Sequence, residues 1–307
     1  MNNKQLNTYF ATLGKVRESY PLRKCTTYRI GGIADWVIEP DSLEHLMELL
    51  SFIKEHAIPY LLLGNGSNVL IHDRPFHGVV VHTGHLLSGF EFDENGILTA
   101  QAGCSLILLA SKAMEHSLSG LEFASGIPGT VGGGLYMNAG AYKASLSDIL
   151  IEVLVYDFHQ TKWIAKEKLD YAYRHSAFQK HKDWIILAAR FALHAKNSSE
   201  IGVVMERRRN RRLETQPLEM PSAGSVFRNP ENGFAWQIID DLGFRGKRRG
   251  GASVSKKHCN FIVNENGKAS AHDVDSLIRT IQKKALAKTG IPLVLELERI
   301  NWPKHEK

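Results

Sequence analysis

Residues Gly120 to Tyr142 read GLEFASGIPGTVGGGLYMNAGAY, a stretch in which glycine recurs among small or apolar residues and a single proline. Ordinary loops of this length are more polar. Glycine reaches positive φ and lets another group approach the main chain closely, so successive amides can converge on an anion, a phosphate above all. The competing reading is a glycine-rich packing turn between two strands. A second turn shifts the balance: Leu61 to Ile71 reads LLLGNGSNVLI, a tight polar turn between two apolar runs. Two such turns point to a large phosphorylated cofactor. Gly64 and Gly66 begin a GxGxxG pattern, but Val69 stands where its third glycine belongs and Asn68 leads into a β-type run, which argues against a Rossmann site. Neither turn contains GxxxxGK[ST], so a P-loop is disfavoured too.

Composition sets wide bounds. The 307 residues allow two or three domains, and 43% hydrophobic with 23% charged residues is ordinary for a soluble globular protein. Cys25, Cys104 and Cys259 are odd in number, widely spaced and without a CxxC pair, so neither a disulfide framework nor a zinc site is implied. No His, Cys or carboxylate cluster has metal-ligand spacing. The start, MNNKQLNTYF, lacks a long apolar region, and no run approaches the roughly 20 apolar residues of a membrane span. The expectation is a soluble cytoplasmic protein. A formal charge of +6 suits anionic small molecules as well as nucleic acid.

Along the chain, residues 1–20 read as a loosely docked leader. Cys25 to Gly32, CTTYRIGG, ends in a turn before the strand-like ADWVIEP. Asp41 with Glu44 forms a candidate capping box for a helix whose Leu43, Leu46, Met47, Leu50 and Ile53 recur at helical spacing. With Tyr60 to Leu63 beyond, this is a strand-helix-strand unit that delivers the Asn65 turn. Gly78–Thr83 and Ile97–Ala102 read as strands, and Ser105 caps a helix carrying Leu106, Leu109, Ala110, Ala113 and Met114. Ile151–Asp157 and Trp184–Leu193 are β-rich runs joined by a polar connection containing YAYRHSAF. From Ser199 the pattern is helical, and Arg207, Arg208, Arg209, Arg211 and Arg212 form its basic run. That run reads as a solvated face, with anion attraction or a nucleic-acid patch as alternatives and no interleaved aromatics to favour the latter. Phe234–Leu242 is a short helix, Phe261–Val263 a strand, and Val274, Leu277, Ile278, Ile281 and Ala285 mark a long helix stopped at Gly290 and Pro292. The closing LVLELERINW reads as a strand that returns toward the cofactor domains.

Taken together, NGSN at Asn65–Asn68, SGIPGTVGG at Ser125–Gly133 and MNAGAY at Met137–Tyr142 resemble the flavin-binding signature of the UDP-N-acetylenolpyruvoylglucosamine reductases, peptidoglycan-synthesis enzymes also called UDP-N-acetylmuramate dehydrogenases. The resemblance covers almost the whole chain. It implies an α+β protein: a two-subdomain FAD-binding fold of the vanillyl-alcohol-oxidase type, plus a C-terminal α+β substrate domain. The expected divisions are 1–80 and 81–197 for the FAD subdomains, 198–292 for the substrate domain, and 293–307 for a strand returning to the active site. Non-covalent FAD is implied, with NADPH as reductant. The implied FAD-binding residues are Tyr28, Arg29, Ile30 and Gly31, then Gly64, Asn65, Gly66, Ser67 and Asn68. In the long glycine stretch they are Ser125, Gly126, Ile127, Pro128, Gly129, Thr130, Gly132 and Gly133, followed by Asn138, Ala139 and Gly140.

The same resemblance implies a catalytic set: Ser225 in AGSVFRNP as proton donor, Arg174 in YRHSAF, and Glu298 in LELER. Taken singly, each more often reads as a turn serine, a surface cation or a solvent-facing glutamate. Their joint occurrence with both glycine turns reverses that weighting. Hydride from flavin N5 to the terminal carbon of an enolpyruvyl double bond leaves an enolate-like anion that must be stabilised and protonated. Arg174 offers planar charged donors to its carboxylate. Glu298 helps only as a hydrogen-bond donor, so burial or the nearby anion should raise its pKa. Ser225 then protonates the α-carbon. For the nucleotide-sugar substrate, Asn229 matches the motif asparagine of the third domain and Arg245 a basic position facing the diphosphate, and Lys256, Lys257 and His258 are further anion-binding candidates or a solvated turn. No nucleic acid, membrane or protein partner is implied.

Two departures from the family pattern stand out. The terminal strand has LELERI where the family commonly has LEPEVR, so Leu297 replaces proline, Arg299 replaces valine, and Glu296 remains the fallback for Glu298, on the same side of the strand. The short segment between Phe178 and Trp184 resembles the subtype that lacks an extra tyrosine-bearing loop. Two other readings remain. One is another FAD oxidoreductase acting on a different sugar or alcohol, which would keep flavin without enolpyruvyl activity. The other is a non-catalytic nucleotide-sugar or RNA-binding protein, which would purify without flavin and bind RNA in a salt-sensitive way.

Overall fold

The computed structural model of the protein describes residues 2–84 and 87–303. Its helices are α1 (Asn3–Ala11), α2 (Leu43–Glu55), α3 (Leu106–Glu115), α4 (Val131–Met137), α5 (Leu146–Ile149), α6 (Ser198–Thr215), α7 (Ala235–Asp241) and α8 (Ala271–Thr289). Its strands are β1 (Gly14–Pro21), β2 (Ile33–Pro40), β3 (Tyr60–Leu63), β4 (Val69–Ile71), β5 (Phe76–His82), β6 (Phe90–Phe92), β7 (Ile97–Gln101), β8 (Leu118–Ser119), β9 (Gly140–Ala141) and β10 (Ala144–Ser145). They continue with β11 (Leu150–Tyr156), β12 (Thr161–Ala165), β13 (Ile185–Ala192), β14 (His194–Ala195), β15 (Arg248–Arg249), β16 (Ala252–Val254), β17 (Ile262–Asn264) and β18 (Glu298–Ile300). Helices and mostly antiparallel strands make this an α+β fold, as expected. Among the described residues no helix is long and apolar enough to cross a membrane.

Contacts divide the chain into two compact units that interleave in sequence. Unit 1 comprises Met1–Glu18, Trp36–Asn65 and Gly78–Asn210; unit 2 comprises Ser19–Asp35, Gly66–His77 and Arg211–Lys307. The chain therefore changes unit within β1, β2, β5 and α6, and once more inside the Asn65 turn. The expected divisions cut the chain by role into continuous segments, a different partition from this one.

Unit 1 has two cores. The antiparallel sheet β12-β11-β13-β7-β6 pairs Val153 with Ala189 and Ala189 with Ala100. All three are fully buried, and α3 and α4 cover them with Leu106, Leu109, Val131 and Leu135. The second core lies under α2, whose Leu46, Leu49, Leu50 and Ile53 bury one stripe beside Val79 and Val81 of β5. Strand β3 runs parallel to β5, Tyr60 opposite Val79. The predicted strand-helix-strand unit is present, but its cap is Ser42, whose hydroxyl accepts from the His45 amide. The Asp41 carboxylate instead meets the His45 ring, 2.5 Å from Nδ1.

Two further expectations are corrected. Residues 3–21 are no loose leader: α1 is closed by an Asn2–Gln5 capping box and drives Phe10 and Leu13 into the core under α2. The polar connection after Asp157 contains β12, an edge strand pairing Trp163 with Leu154. One face of its alternating TKWIA is solvated, so hydrophobicity alone hid it. In α6, Ile201 is the buried residue and the arginines are exposed or half-buried. Arg207, Arg209 and Arg211 make the solvated face expected of the run, while half-buried Arg208 lies over the Tyr142 ring, 4.8 Å from its centre.

Unit 2 is built on β15-β16-β17, covered by α8 through Val274, Leu277, Ile278, Ile281 and Ala285. Helix α8 opens with a Ser270–Asp273 capping box and ends at Gly290 in the left-handed region, φ 71°. The closing strand β18 pairs in parallel with β4, Glu298 opposite Val69.

Candidate active site

In unit 1 the two glycine turns come together. A Cβ on Gly64 would lie 2.5 Å from Thr130 Oγ1, and Asn65 Nδ2 donates to the Pro128 carbonyl at 3.3 Å. Thr130 caps α4, its hydroxyl accepting from the Gly133 amide at 3.3 Å. The remaining early amides of α4 are consumed by the protein: Val131 donates to Cys104 O and Gly132 to Ala102 O. The end of α4 is thus no open anion nest. The amides of Gly129 and Thr130, at a buried turn, donate to no other described residue. Nor do those of Gly64, Asn65, Gly66, Ser67 and Asn68. Buried or turn amides in such numbers call for an acceptor. Phosphate oxygens are chemically suited to that role.

The glycines of the long stretch serve different ends. Gly132 and Gly134 are packing glycines: their Cβ atoms would meet Ala102 Cβ at 3.1 Å and Leu146 Cδ1 at 2.7 Å. Gly133 is exposed and meets nothing closer than Thr130 Oγ1 at 3.5 Å. Ser125 donates to the Glu122 carbonyl, Gly126 lies in the turn that follows, and Ile127 packs on the sheet core.

The MNAGAY segment positions Arg174. Asn138, buried and left-handed at φ 45°, closes α4; its Nδ2 donates to Ala172 O and its Oδ1 accepts from the Ser147 amide. Ala139 donates its amide to Gly134 O. Arg174 in turn donates from Nη2 to Gly140 O at 2.8 Å and from Nη1 to Asn138 O at 3.3 Å. Its own backbone is left-handed, φ 54°, an uncommon conformation for a residue with a Cβ. Strain of this kind persists where surrounding contacts hold it. Nearby, the Tyr171 hydroxyl is buried with no hydrogen-bond partner among the described residues, and burial pushes its pKa far up.

Unit 2 carries the remaining candidates. Tyr28 is fully buried and donates its hydroxyl to Ile262 O at 2.7 Å, so its ring is a core group. Arg29 turns left-handed at φ 55°, Ile30 is buried, and Gly31 lies within 3.4 Å of Leu22, Ile71 and Arg23 atoms at its Cβ position. Gly66, φ 59°, would drive a Cβ to 2.2 Å from Cys25 O. Asn68 is a node: its Nδ2 donates to Glu296 O at 3.1 Å and its carbonyl accepts from the Glu298 amide at 2.9 Å. The Glu296 amide donates to Val226 O, next to Ser225, and Phe227 bridges Leu295. Ser225, Glu296, Glu298 and Asn68 are therefore gathered on one scaffold, with both glutamates half-buried on the side opposite buried Leu297. The Ser225 hydroxyl makes no hydrogen bond to another described residue.

Asn229 accepts from the Ala235 amide at the start of α7. Arg245 grips Asp240 through Nε at 2.8 Å and through Nη2, and donates from Nη1 to Lys256 O. The hydrogen bond from Arg245 holds the Asp240 carboxyl below the usual range. His258 is no solvated-turn residue: its Nδ1 is buried without a partner among the described residues, and burial, with Arg245 nearby, lowers its pKa. The sequence reading passed over Asn260 and Asn264. Asn260 brackets Phe227, accepting from its amide and donating to its carbonyl, and so holds the Ser225 loop. Asn264 donates to Tyr28 O and accepts from the Ala269 amide. Their signal was available: two asparagines inside the apolar run CNFIVN.

With this geometry established, comparison with known proteins identifies the class. An FAD-binding domain family matches residues 34–161, which include the Gly64 turn and the whole Gly120–Tyr142 stretch. The chain is an FAD-dependent oxidoreductase. Residues 216–300 match the C-terminal domain of UDP-N-acetylenolpyruvoylglucosamine reductase. Proteins of that name from Agathobacter rectalis and Carboxydothermus hydrogenoformans are 43% and 42% identical, over 97% and 92% of this chain and 97% and 93% of theirs. The crystal structure of the reductase from Thermus caldophilus superposes with a TM-score of 0.77 at 33% identity, covering 94% of this chain and 99% of that one. The chain belongs to the UDP-N-acetylenolpyruvoylglucosamine reductase family.

Proposed function

We propose that the protein reduces UDP-N-acetylglucosamine enolpyruvate to UDP-N-acetylmuramate at the expense of NADPH, a step of peptidoglycan precursor synthesis in the cytoplasm. The observation that carries the reading is the Asn68 node, which ties the glycine turn to the Glu298 strand beside the Ser225 loop. Within unit 1 the uncommitted amides of Gly64, Asn65, Gly129 and Thr130 suit phosphate oxygens, and in the proposal these residues hold FAD with Ser125–Pro128, Gly132, exposed Gly133 and Asn138–Gly140, as do Gly66, Ser67 and Asn68. The chemistry FAD supplies when bound and reduced is hydride delivery from N5 to the terminal enolpyruvyl carbon.

The chain's residues do the rest. Arg174, anchored on two carbonyls of the MNAGAY segment, presents its guanidinium charge to the substrate carboxylate, where charge grows in the transition state. Preorganisation by those carbonyls means little reordering on reaction. Ser225, free of other hydrogen bonds to described residues, gives its proton to the α-carbon. Glu298 serves as the hydrogen-bond partner of the enolate, with Glu296 as the alternative. Asn229 and Arg245 face the diphosphate of the sugar nucleotide; three of the five N–H donors of Arg245 are used on Asp240 and Lys256, which leaves two for phosphate oxygens. In this proposal 1–80 and 81–197 serve the cofactor, 198–292 the substrate, and the strand from 293 brings back Glu298.

The test is anaerobic absorbance of purified protein bleached with NADPH and then mixed with UDP-N-acetylglucosamine enolpyruvate. Rapid return of the oxidised flavin band is expected, slowed by about 10²–10⁴ in Ser225→Ala with the bleaching step unchanged. A flavin that bleaches but stays reduced overturns the substrate, and a protein that binds no flavin overturns the cofactor assignment of the glycine turns.

A further inference from the structure

We propose that Arg299 and Asp275 form a positioning pair that aims Glu298, an inference resting on the role given to Glu298 above. Strand β18 is three residues long and has one neighbour, β4. So short a two-stranded pairing has little stability of its own. Its backbone is tied at both ends, by the Glu298 amide on Asn68 O and by the His72 amide on Ile300 O. Direction is a separate matter, because successive strand residues point to opposite faces and a one-residue slip exchanges them. Arg299 follows Glu298 directly, so whatever fixes Arg299 on one face fixes Glu298 on the other.

What fixes Arg299 is a buried charge on α8. Its Nη1 meets Asp275 Oδ1 at 2.9 Å, and the Asp275 side chain is only 5% exposed. The guanidinium also lies over Trp302, 5.3 Å from the ring centre, and that indole donates to Leu70 O in β4. The second oxygen of Asp275 is held by Arg279 Nε at 2.5 Å. Loss of Arg299 therefore leaves the buried carboxylate its ion pair with Arg279 while it removes the tether on the strand. A simple packing role needs no charge here, whereas an arginine matched to a buried carboxylate fixes an angle.

Arg299→Met, Arg299→Lys and Glu298→Gln would be compared with the parent in three measurements: flavin reduction by NADPH, flavin reoxidation by the enolpyruvyl substrate, and amide hydrogen exchange. Positioning predicts that Arg299→Met reoxidises roughly ten- to a hundredfold more slowly at unchanged KM. Reduction should keep its rate, exchange should quicken at the Glu298 and His72 amides but not along α8, and Arg299→Lys should recover most of the loss. The proposal is overturned if Arg299→Met reoxidises at the parental rate, or if both half-reactions, KM and α8 exchange all change together, the signature of general loosening. Glu298→Gln separates the two layers. If it is slow while Arg299→Met is not, only the positioning pair falls; if it reoxidises normally, the role of Glu298 falls and the pair with it.

Discussion

Gly133 and Gly134 are adjacent in the sequence and answer to opposite demands. A methyl on Gly134 would press to 2.7 Å from Leu146 Cδ1 and 3.0 Å from Leu106 Cδ1, inside the core of unit 1. Overpacking of that kind costs about 1–3 kcal/mol, so Gly134→Ala should lower thermal stability whether or not flavin is bound. At Gly133 the methyl makes only an ordinary contact with Thr130 Oγ1 at 3.5 Å, and alanine is favoured over glycine in a helix by up to about 1 kcal/mol. Gly133→Ala should hold or raise the melting temperature of flavin-free protein while weakening FAD binding in a fluorescence titration. Equal FAD affinity in Gly133→Ala would show that the cofactor does not approach this residue. The glycine pattern alone could not separate the two, because closeness to a ligand and closeness to a neighbouring side chain remove the same Cβ. Ser225, Arg174, Glu298 and Asn138 stand out in the sequence as candidates through their motifs, whereas Asn260 and Asp275, which hold the Ser225 loop and Arg299, do not. Those contacts span 33 residues between Asn260 and Phe227 and 24 between Asp275 and Arg299, and local spacing carries no trace of them.

At the level of elements, strong periodicity with a clear cap was sufficient: α2, α3 and α8 begin and end close to where their apolar stripes and caps place them. The failures were amphipathic elements with weak stripes. Helix α1 commits one large side chain, Phe10, to the core, and a single buried aromatic in a polar nonapeptide reads as a tail. Phe10 nevertheless packs edge-on against Trp36 and Phe52. Phe10→Ala should cost about 3–5 kcal/mol in urea denaturation, an amount no loosely docked leader could contribute. Ser270→Ala, which removes one half of the α8 capping box, should cost about 1 kcal/mol. A loss below a few tenths in either would mean that the element frays in solution.

Over the whole molecule, both units rely on carboxylates held ionised. Glu39 in unit 1 is one example: burial pushes its pKa up, but hydrogen bonds from Arg17 at 2.8 Å and His82 at 3.1 Å, with their charges, outweigh burial and leave it below the usual value. Glu122 is lowered in the same way, burial opposing the Ser119 hydroxyl and the Gly120 amide. In unit 2, burial of Asp273 is outweighed by bonds from the Ser270 and Gly251 amides. Asp157 is drawn to about 2 by the hydrogen bond from Lys162, whose half-exposed ammonium leaves the ion pair screened by solvent. A carboxyl whose folded pKa is depressed binds fewer protons folded than unfolded, so its contribution is complete above the unfolded value, near 4.5, and is lost as pH falls through the folded one. Stability should thus stay level from neutral pH to about 5 and decline below, each such group adding at most about 1.4 kcal/mol per pH unit. Glu39→Gln should start lower at pH 7, because the oxygen that Arg17 and His82 share keeps its place as acceptor but loses its charge, and should then fall less steeply between pH 5 and 3. Urea midpoints for parent and variant across that range decide the matter: parallel curves would mean that Glu39 titrates alike in the folded and unfolded chain, and that its bonds to Arg17 and His82 do not hold the proton off in solution.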